Sequence, residues 1–173
     1  QNGFGGDEIR YTITLEPHDD RWLFALDLPS ELPADSRIRR DFQLLADKPV
    51  RERYRYSMKS YLSYDTGPLS RDERARALQL PPNVSERTRR LAERWRATSA
   101  EDLSVVQQAL AHFRRENFVY TLRPPLMEKN PVDEFLFDAR RGFCEHYATS
   151  FAFLMRLAGI PSRVITGYQG GER

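Results

Sequence analysis

The chain has 173 residues, of which 40% are hydrophobic and 30% charged, a balance typical of a globular protein rather than a disordered one. Its formal net charge is only +2, from 27 basic and 25 acidic residues, so composition gives no indication of nucleic-acid binding. The single cysteine excludes an internal disulfide bond and a multi-cysteine zinc site, and the sequence lacks any apolar run near the ~20 residues that a membrane-spanning helix needs.

Residues 1–66 predict a small antiparallel β module. Four segments are predicted as strands: 9–15, 22–26, 38–45 and 51–59. The first and last alternate apolar and polar side chains with the period of two that a half-buried strand shows. In the last, this alternation places Tyr54, Tyr56 and Met58 on one face. The outward charges favour a sheet with one solvated face.

Residues 67–173 predict a helical core. Three stretches have helical character: 86–97, 100–116 and the short apolar segment 132–137. We expect Ser99 to be the N-cap of the second of these helices. The spacing of its larger apolar residues predicts that they line its buried face: Leu103, Val106, Leu110 and Phe113. A short strand is predicted over 118–122 because Pro124 and Pro125 end that apolar run.

The next helix is predicted over 144–158, with Cys144 in its first turn. Gly142 is expected to supply a sharp turn before it. Gly159 stands where a helix C-cap belongs, and Pro161 prevents the helix from continuing. Apolar residues cover much of the helix surface, so we expect it to be largely buried. The residues after Pro161, to about Tyr168, predict a strand.

Cys144 is the candidate nucleophile. Unpaired N–H groups and the macrodipole favour negative charge at a helix start, and the thiolate is the reactive form of a cysteine. A backbone N–H near it would also face a developing oxyanion. The alternative is that Cys144 is a small buried hydrophobic residue. Geometry alone leaves both interpretations open.

The segment 142–148 reads Gly-Phe-Cys-Glu-His-Tyr-Ala, and its helix ends in Gly-Ile-Pro before Ser-Arg-Val-Ile-Thr-Gly-Tyr. This order resembles the core of the transglutaminase-like superfamily. Upstream stand Phe-Val-Tyr-Thr-Leu at 118–122 and Val-Asp-Glu-Phe-Leu-Phe at 132–137. With them the resemblance extends to the periplasmic domain of the bacterial inner-membrane transglutaminase-like protein A family. It is close over residues 78–173 and looser over residues 7–66.

This resemblance implies an α+β fold, in which the antiparallel module precedes a papain-like core that stops before its main sheet is complete. It also implies a Cys-His-Asp triad acting on glutamine carboxamides, with crosslinking or deamidation as the outcome. The cysteine corresponds to Cys144, and the histidine and aspartate are expected beyond Arg173. The chain alone would then be inactive. The implied partners are a glutamine-bearing protein or peptide, an amine donor, the rest of the domain and an inner-membrane anchor outside this chain. Neither cofactor nor metal is implied.

Two other activities remain open at this point. The same triad would hydrolyse an amide or peptide bond if water rather than an amine reached the thioester. Alternatively, transglutaminase-like folds that lose triad members act as binding or scaffold modules, although the retained Cys144 argues against that. A chain of this kind is also compatible with a proteolytic fragment whose remainder is a separate piece.

Seven other residues are candidates for roles in or near the site. His146 is rejected as the base because side chains two apart on a helix diverge by about 200°. We expect structural roles for Glu145, Asp133 and Glu134, the last two in capping the helix over 132–137. Tyr120 is a weak candidate for an oxyanion donor, and a core or rim position is favoured. His18 is expected at the surface and His112 half-buried, which gives no metal-ligand spacing.

Overall fold

The computed structural model describes residues 3–39 and 42–167. They form two compact units that divide between Pro68 and Leu69. The first unit consists of antiparallel sheets and the second is mainly helical. The predicted α+β class is therefore confirmed. Within the described part of the chain, no helix is both long and apolar enough to cross a membrane.

The first unit contains two three-stranded sheets with the strand orders β1-β6-β3 and β2-β5-β4. Their strands are β1 Gly3–Leu15, β2 Trp22–Leu23, β3 Pro29–Glu31, β4 Ser36–Ile38, β5 Leu44–Ala46 and β6 Tyr54–Asp65. The predicted inward face of β6 is confirmed, since Tyr56 and Met58 are buried and Tyr54 packs against their cluster. The Tyr56 hydroxyl bonds both backbone groups of Phe24, and burial raises the pKa of this tyrosine to about 12.

The predicted single strand over 38–45 is wrong. Ile38 ends β4 and Leu44 begins β5, and these two strands pair antiparallel. Between them Phe42 adopts a left-handed conformation (φ 64°), and its N–H donates to the carbonyl of Arg39. The apolar residues on both sides of this reversal conceal it in the sequence. Residues 40 and 41 lie outside the described part of the chain.

In the second unit, helices pack around a core that includes the C-terminal half of the last helix. The elements are α1 Arg71–Ala77, α2 Glu86–Thr98, α3 Asp102–Arg115, α4 Pro131–Asp133, a π-helix Glu134–Ala139 and α5 Cys144–Leu157, with the short parallel strands β7 Val119–Tyr120 and β8 Arg141–Gly142. The buried core residues are Leu91, Ala92, Val105, Ala109, Phe135, Leu136, Leu154, Met155 and Ala158. The predicted segments 86–97, 118–122 and 132–137 are thus confirmed with shifted ends.

Helix α1 was not predicted as a separate element. Its N-cap is Ser70, whose hydroxyl accepts a hydrogen bond from the N–H of Glu73. The Glu73 carboxylate in turn accepts from the N–H of Ser70 at 2.9 Å, which completes a capping box. This spacing of serine and glutamate was the available sequence signal.

Helix α3 confirms the predicted element but not its N-cap, and it confirms the predicted buried face only for Val106 and Phe113. Its N-cap is Glu101; Ser99 is the C-cap of α2, and its hydroxyl accepts a hydrogen bond from the N–H of Glu101. Leu103 is 66% exposed, whereas Val105 and Ala109 are fully buried. Leu110 is exposed as well, whereas Val106 and Phe113 pack against the core cluster that contains Val105 and Ala109.

The predicted strand after Pro161 is absent from residues 160–167, and Tyr168 lies outside the described residues. The backbone of Ser162 bonds helices instead: its N–H donates to the carbonyl of Ala77, and its carbonyl accepts from the guanidinium of Arg156. Its hydroxyl donates to the carbonyl of Ala152. These bonds hold the segment against the helices rather than in a sheet.

A buried carboxylate joins the start of α2 to α4. Asp133 accepts hydrogen bonds from Thr88 (2.8 Å), from Arg87 (2.7 Å) and from the Ser85 N-cap hydroxyl. Burial raises the pKa of Asp133, but these donors outweigh it and hold the pKa below its usual value. The expectation that Asp133 caps its own helix is therefore wrong: its carboxylate binds the start of α2 instead. Glu134 does cap, since its carboxylate accepts from the N–H groups of Lys129 and Asn130.

Replacing Asp133 should destabilise the second unit. Asp133→Ala leaves the buried Thr88 hydroxyl without its acceptor, and we expect a loss of about 2–3 kcal/mol in the free energy of unfolding. Asp138→Ala is the matched control, because Asp138 also pairs with Arg87 but is half-exposed, and its loss should cost under ~1 kcal/mol. Urea denaturation measures both. Equal losses would contradict the proposed role of burial.

Gly142 lies in β8 and does not form the predicted sharp turn. Gly142 does not adopt a left-handed backbone conformation. Glycine is required at this position because a side chain would not fit. A Cβ at this position would lie 2.8 Å from the Cβ of His146 and 2.9 Å from the ring of Phe135. The absence of a side chain therefore lets β8 approach the first turn of α5.

Gly142→Ala should consequently destabilise the protein by about 1–3 kcal/mol, since the fully buried Phe135 and the backbone of α5 have little room to shift. Gly167→Ala is the control, because a Cβ there meets nothing within 4 Å. Thermal and urea unfolding of the two variants test this. A Gly142→Ala protein as stable as the control would show that the contact relaxes at no cost.

Candidate active site

Cys144 is the first residue of α5, and its side chain is exposed with a free thiol. The predicted helix over 144–158 is confirmed to within one residue. Gly159 follows it with φ +79°, the left-handed conformation expected beyond a helix C-terminus. The helix thus ends in the core and begins at the surface.

The N-terminus of α5 has no side-chain cap from its N-cap residue, Phe143. Instead, Nδ1 of His146 accepts a hydrogen bond of 3.4 Å from the N–H of Phe143, and the N–H of His146 donates to the Phe143 carbonyl. The N–H groups of Cys144 and Glu145 precede the first residues that helical geometry can pair. In the described part of the chain no hydrogen bond occupies them, so two donors remain beside the thiol.

The expectation that α5 is largely buried is wrong for one side of its first half. Cys144, Glu145, Ala148 and Thr149 are exposed, whereas Leu154, Met155 and Ala158 are buried. The exposed residues lie on one side of the helix. An apolar composition predicted burial for this side, yet none of the described elements covers it.

Strands β7 and β8 place a second segment next to Cys144. Tyr120 pairs with Gly142, and the N–H of Thr121 donates to the Gly142 carbonyl at 2.8 Å. Tyr120 is 62% exposed, and its ring stacks on that of Tyr147 with the ring centroids 6.3 Å apart. Burial raises the pKa of the Tyr147 phenol. Tyr120 therefore has the rim position that was favoured for it.

The second unit holds two histidines, and both have packing roles. His146 packs against Phe135 and Phe143 in addition to bonding the Phe143 N–H, which agrees with its predicted structural role. His112 is half-buried, as expected, among the rings of Trp95, Phe113 and Phe118. Burial is the main cause that lowers the His112 pKa, so the neutral ring predominates at neutral pH.

His18 lies in the first unit, where it is partly buried rather than fully at the surface and stacks on Trp22 at 4.7 Å. Glu145 is exposed beside Cys144. Among the described residues, no group of three histidine, cysteine, aspartate or glutamate side chains is placed to hold a metal ion.

Two family models match the chain. Residues 1–67 match the TgpA N-terminal domain, and residues 89–173 match the transglutaminase-like superfamily. The second match contains Cys144 and the whole of α5.

Named relatives match over longer stretches. A protein-glutamine gamma-glutamyltransferase of Pseudomonas aeruginosa is 42% identical over 168 residues, which are 96% of this chain and 25% of that protein. The uncharacterized protein YebA of Bacillus subtilis is 32% identical over 100 residues, 56% of this chain and 14% of the relative. The chain thus spans a quarter or less of the length of these relatives.

The solved periplasmic domain of TgpA from Pseudomonas aeruginosa has the same fold, with a TM-score of 0.95 and 41% identity over 99% of this chain and 60% of that one. A second crystal structure of that domain, bound to ethylmercury, matches equally well. The chain therefore belongs to the transglutaminase-like superfamily and corresponds to part of a bacterial periplasmic domain of that superfamily.

Proposed function

We propose that Cys144 is the nucleophile of a transglutaminase-like acyl transfer that acts on glutamine side chains of proteins or peptides. The observation that carries this proposal is the position of the thiol. The only cysteine of the chain is exposed at the first residue of a helix whose far end is fixed in the core. A cysteine with a purely packing role is expected in the interior, where small apolar side chains are found.

In the proposed reaction the Cys144 sulfur attacks the carbonyl carbon of the glutamine carboxamide. A tetrahedral intermediate forms and its C–N bond breaks, so ammonia leaves with a proton delivered by a general acid and a thioester remains on the sulfur. A primary amine then attacks the thioester, forms an isopeptide or secondary amide bond and releases the thiol. Water in place of the amine gives glutamate, which is deamidation.

The N–H groups of Cys144 and Glu145 are the donors we assign to the oxyanion of the tetrahedral intermediate. Both N–H groups lie in the first turn of α5, one on the residue that carries the thiol and the other on the next residue. A fixed backbone donor is effective there because it needs no reorganisation when the charge develops, and the loss of one such donor typically costs 10²–10³ in rate.

We further propose that the general base and its orienting carboxylate come from residues beyond Arg173. Neither histidine of the second unit suits the role. His146 diverges from Cys144 along the helix and bonds the Phe143 backbone, and His112 has Nε2 buried without a partner. Residues 1–173 alone should therefore be slow, since general acid–base assistance contributes about 10²–10⁴-fold.

The test is incorporation of a fluorescent primary amine into a glutamine-containing protein by the complete parent protein. Cys144→Ala and Cys144→Ser should both abolish incorporation and ammonia release. Their melting temperatures should stay within a few degrees of the parent, because an exposed side chain contributes little to packing. Incorporation that persists in Cys144→Ala would refute the assignment of the nucleophile. Ammonia release without incorporation would identify hydrolysis as the reaction.

Accessibility of the thiol has an independent test on residues 1–173. Iodoacetamide should add one carbamidomethyl group to the folded chain and none to Cys144→Ala, as read by intact mass. Ethylmercury is a soft cation that favours thiolate ligands, so it should block this alkylation. Failure of the folded chain to react, with reaction restored in urea, would contradict an exposed Cys144.

A further inference from the structure

The second feature of the site is the free edge of β7, the strand whose other edge pairs with β8 just before Cys144. β8 pairs with only one edge of β7: the N–H of Val119 donates to the Arg140 carbonyl and the N–H of Thr121 donates to the Gly142 carbonyl, both at 2.8 Å. Backbone groups of alternate strand residues point to opposite edges. The N–H and C=O of Tyr120 and the N–H of Leu122 therefore point away from β8.

These three backbone groups have no partner among the residues that the structure describes. The chain turns away directly after them, where the N–H of Arg123 donates to the Thr121 hydroxyl and two prolines follow. An unpaired row of this kind is a template for another extended segment. An extended peptide that adds to such an edge is held by main-chain hydrogen bonds, and its alternate side chains supply specificity.

We propose that this edge binds the backbone of the acyl-donor substrate, an extended peptide segment next to the reactive glutamine. The inference rests on the function proposed for Cys144 and adds the way in which the substrate is held. Tyr120 pairs with Gly142, and Gly142 stands two residues before Cys144. The strand that would bind the peptide is thus hydrogen-bonded to the segment that delivers the nucleophile.

The side chains along the edge indicate which residues the peptide carries. Val119, Tyr120 and Leu122 are 48%, 62% and 76% exposed, and all are apolar or aromatic. Stacking on Tyr147 holds the ring of Tyr120. We expect β-branched or aromatic residues beside the glutamine, because these residue types pair best across neighbouring strands.

Backbone N-methylation of the substrate tests the edge without altering the protein. The probe is a capped nine-residue peptide with one central glutamine flanked by valine and threonine, assayed with a fluorescent amine and the complete parent protein. Each amide is methylated in turn. Methylation of an amide that bonds β7 should raise KM about tenfold, and the neighbouring amides should tolerate it, which gives a period of two. Equal effects at all positions, or none, would overturn the proposal.

A pair of protein variants tests the same edge from the other side. Tyr120→Pro removes the outward N–H but leaves the bonds of Val119 and Thr121 to β8, a position at which edge strands accept proline. Tyr120→Ala removes the ring and keeps the N–H. If the N–H binds substrate, Tyr120→Pro raises KM further than Tyr120→Ala does, with both melting temperatures close to the parent. Equal KM values at equal stability would contradict a main-chain contact.

The outcomes separate this inference from the function on which it rests. A parent protein that modifies no glutamine peptide, methylated or not, refutes the proposed function. Turnover that depends on Cys144 but ignores both N-methylation and Tyr120→Pro refutes only the binding edge. A large fall in the melting temperature for Tyr120→Pro, together with no period of two in the methylation series, would show that a strand of the same protein occupies the edge.

Discussion

The fixed position of α5 against the other helices is the constraint on which the rest of the second unit depends. Three carbonyls in the segment just after α5 accept hydrogen bonds from guanidinium groups: Arg96 donates to Ala158, Arg74 to Gly159, and Arg156 of α5 itself to Ser162. Cations at a helix C-terminus are favoured both by the exposed carbonyls and by the macrodipole. Because Arg96 lies on α2 and Arg74 on α1, these bonds tie α5 to two other helices. The position of Cys144 at the opposite end follows from this anchorage and from the burial of Leu154 and Met155.

The start of α5 is fixed by a different kind of contact, which is steric. The π-helix is followed by its C-cap, Arg140, in a left-handed conformation (φ 49°), and the chain then enters β8. Arg140 forms an ion pair with Glu116 and lies over the ring of Phe118, while Gly142 admits His146 and Phe135 at close range. The C-terminal end of α5 is thus fixed by charged hydrogen bonds to the segment that follows it. The N-terminal end, which carries the thiol, is fixed by close packing of β8 against it at Gly142.

The sequence predicts most of the helices and the long strands, but not which side chains of the helices are buried. Strand alternation identified β6 and its inward tyrosines, and the glycine after α5 marked its end, because both signals are local. In α3 the predicted face was right for Val106 and Phe113, which pack against the core, and wrong for Leu103 and Leu110, which are exposed. Which side chains of a helix are buried depends on the neighbouring helices, and a periodicity within one helix does not contain that information. The role of Gly142 likewise depends on Phe135, which is close in space but not in sequence.

Several departures from ordinary packing lie near Cys144 in the second unit. The start of α2 in the same unit is different, because its polar groups are paired: Ser85 and Thr88 donate hydrogen bonds to Asp133. Around Cys144, by contrast, the described residues leave N–H donors unpaired, a strand edge open and large apolar side chains in solvent. Each carries a cost in the isolated structure, since unpaired strand edges and exposed apolar surface favour association. Local inconsistencies of this kind are expected at functional sites, and their position near the single cysteine is the basis of the proposals that Cys144 is a nucleophile and that the β7 edge binds an extended chain.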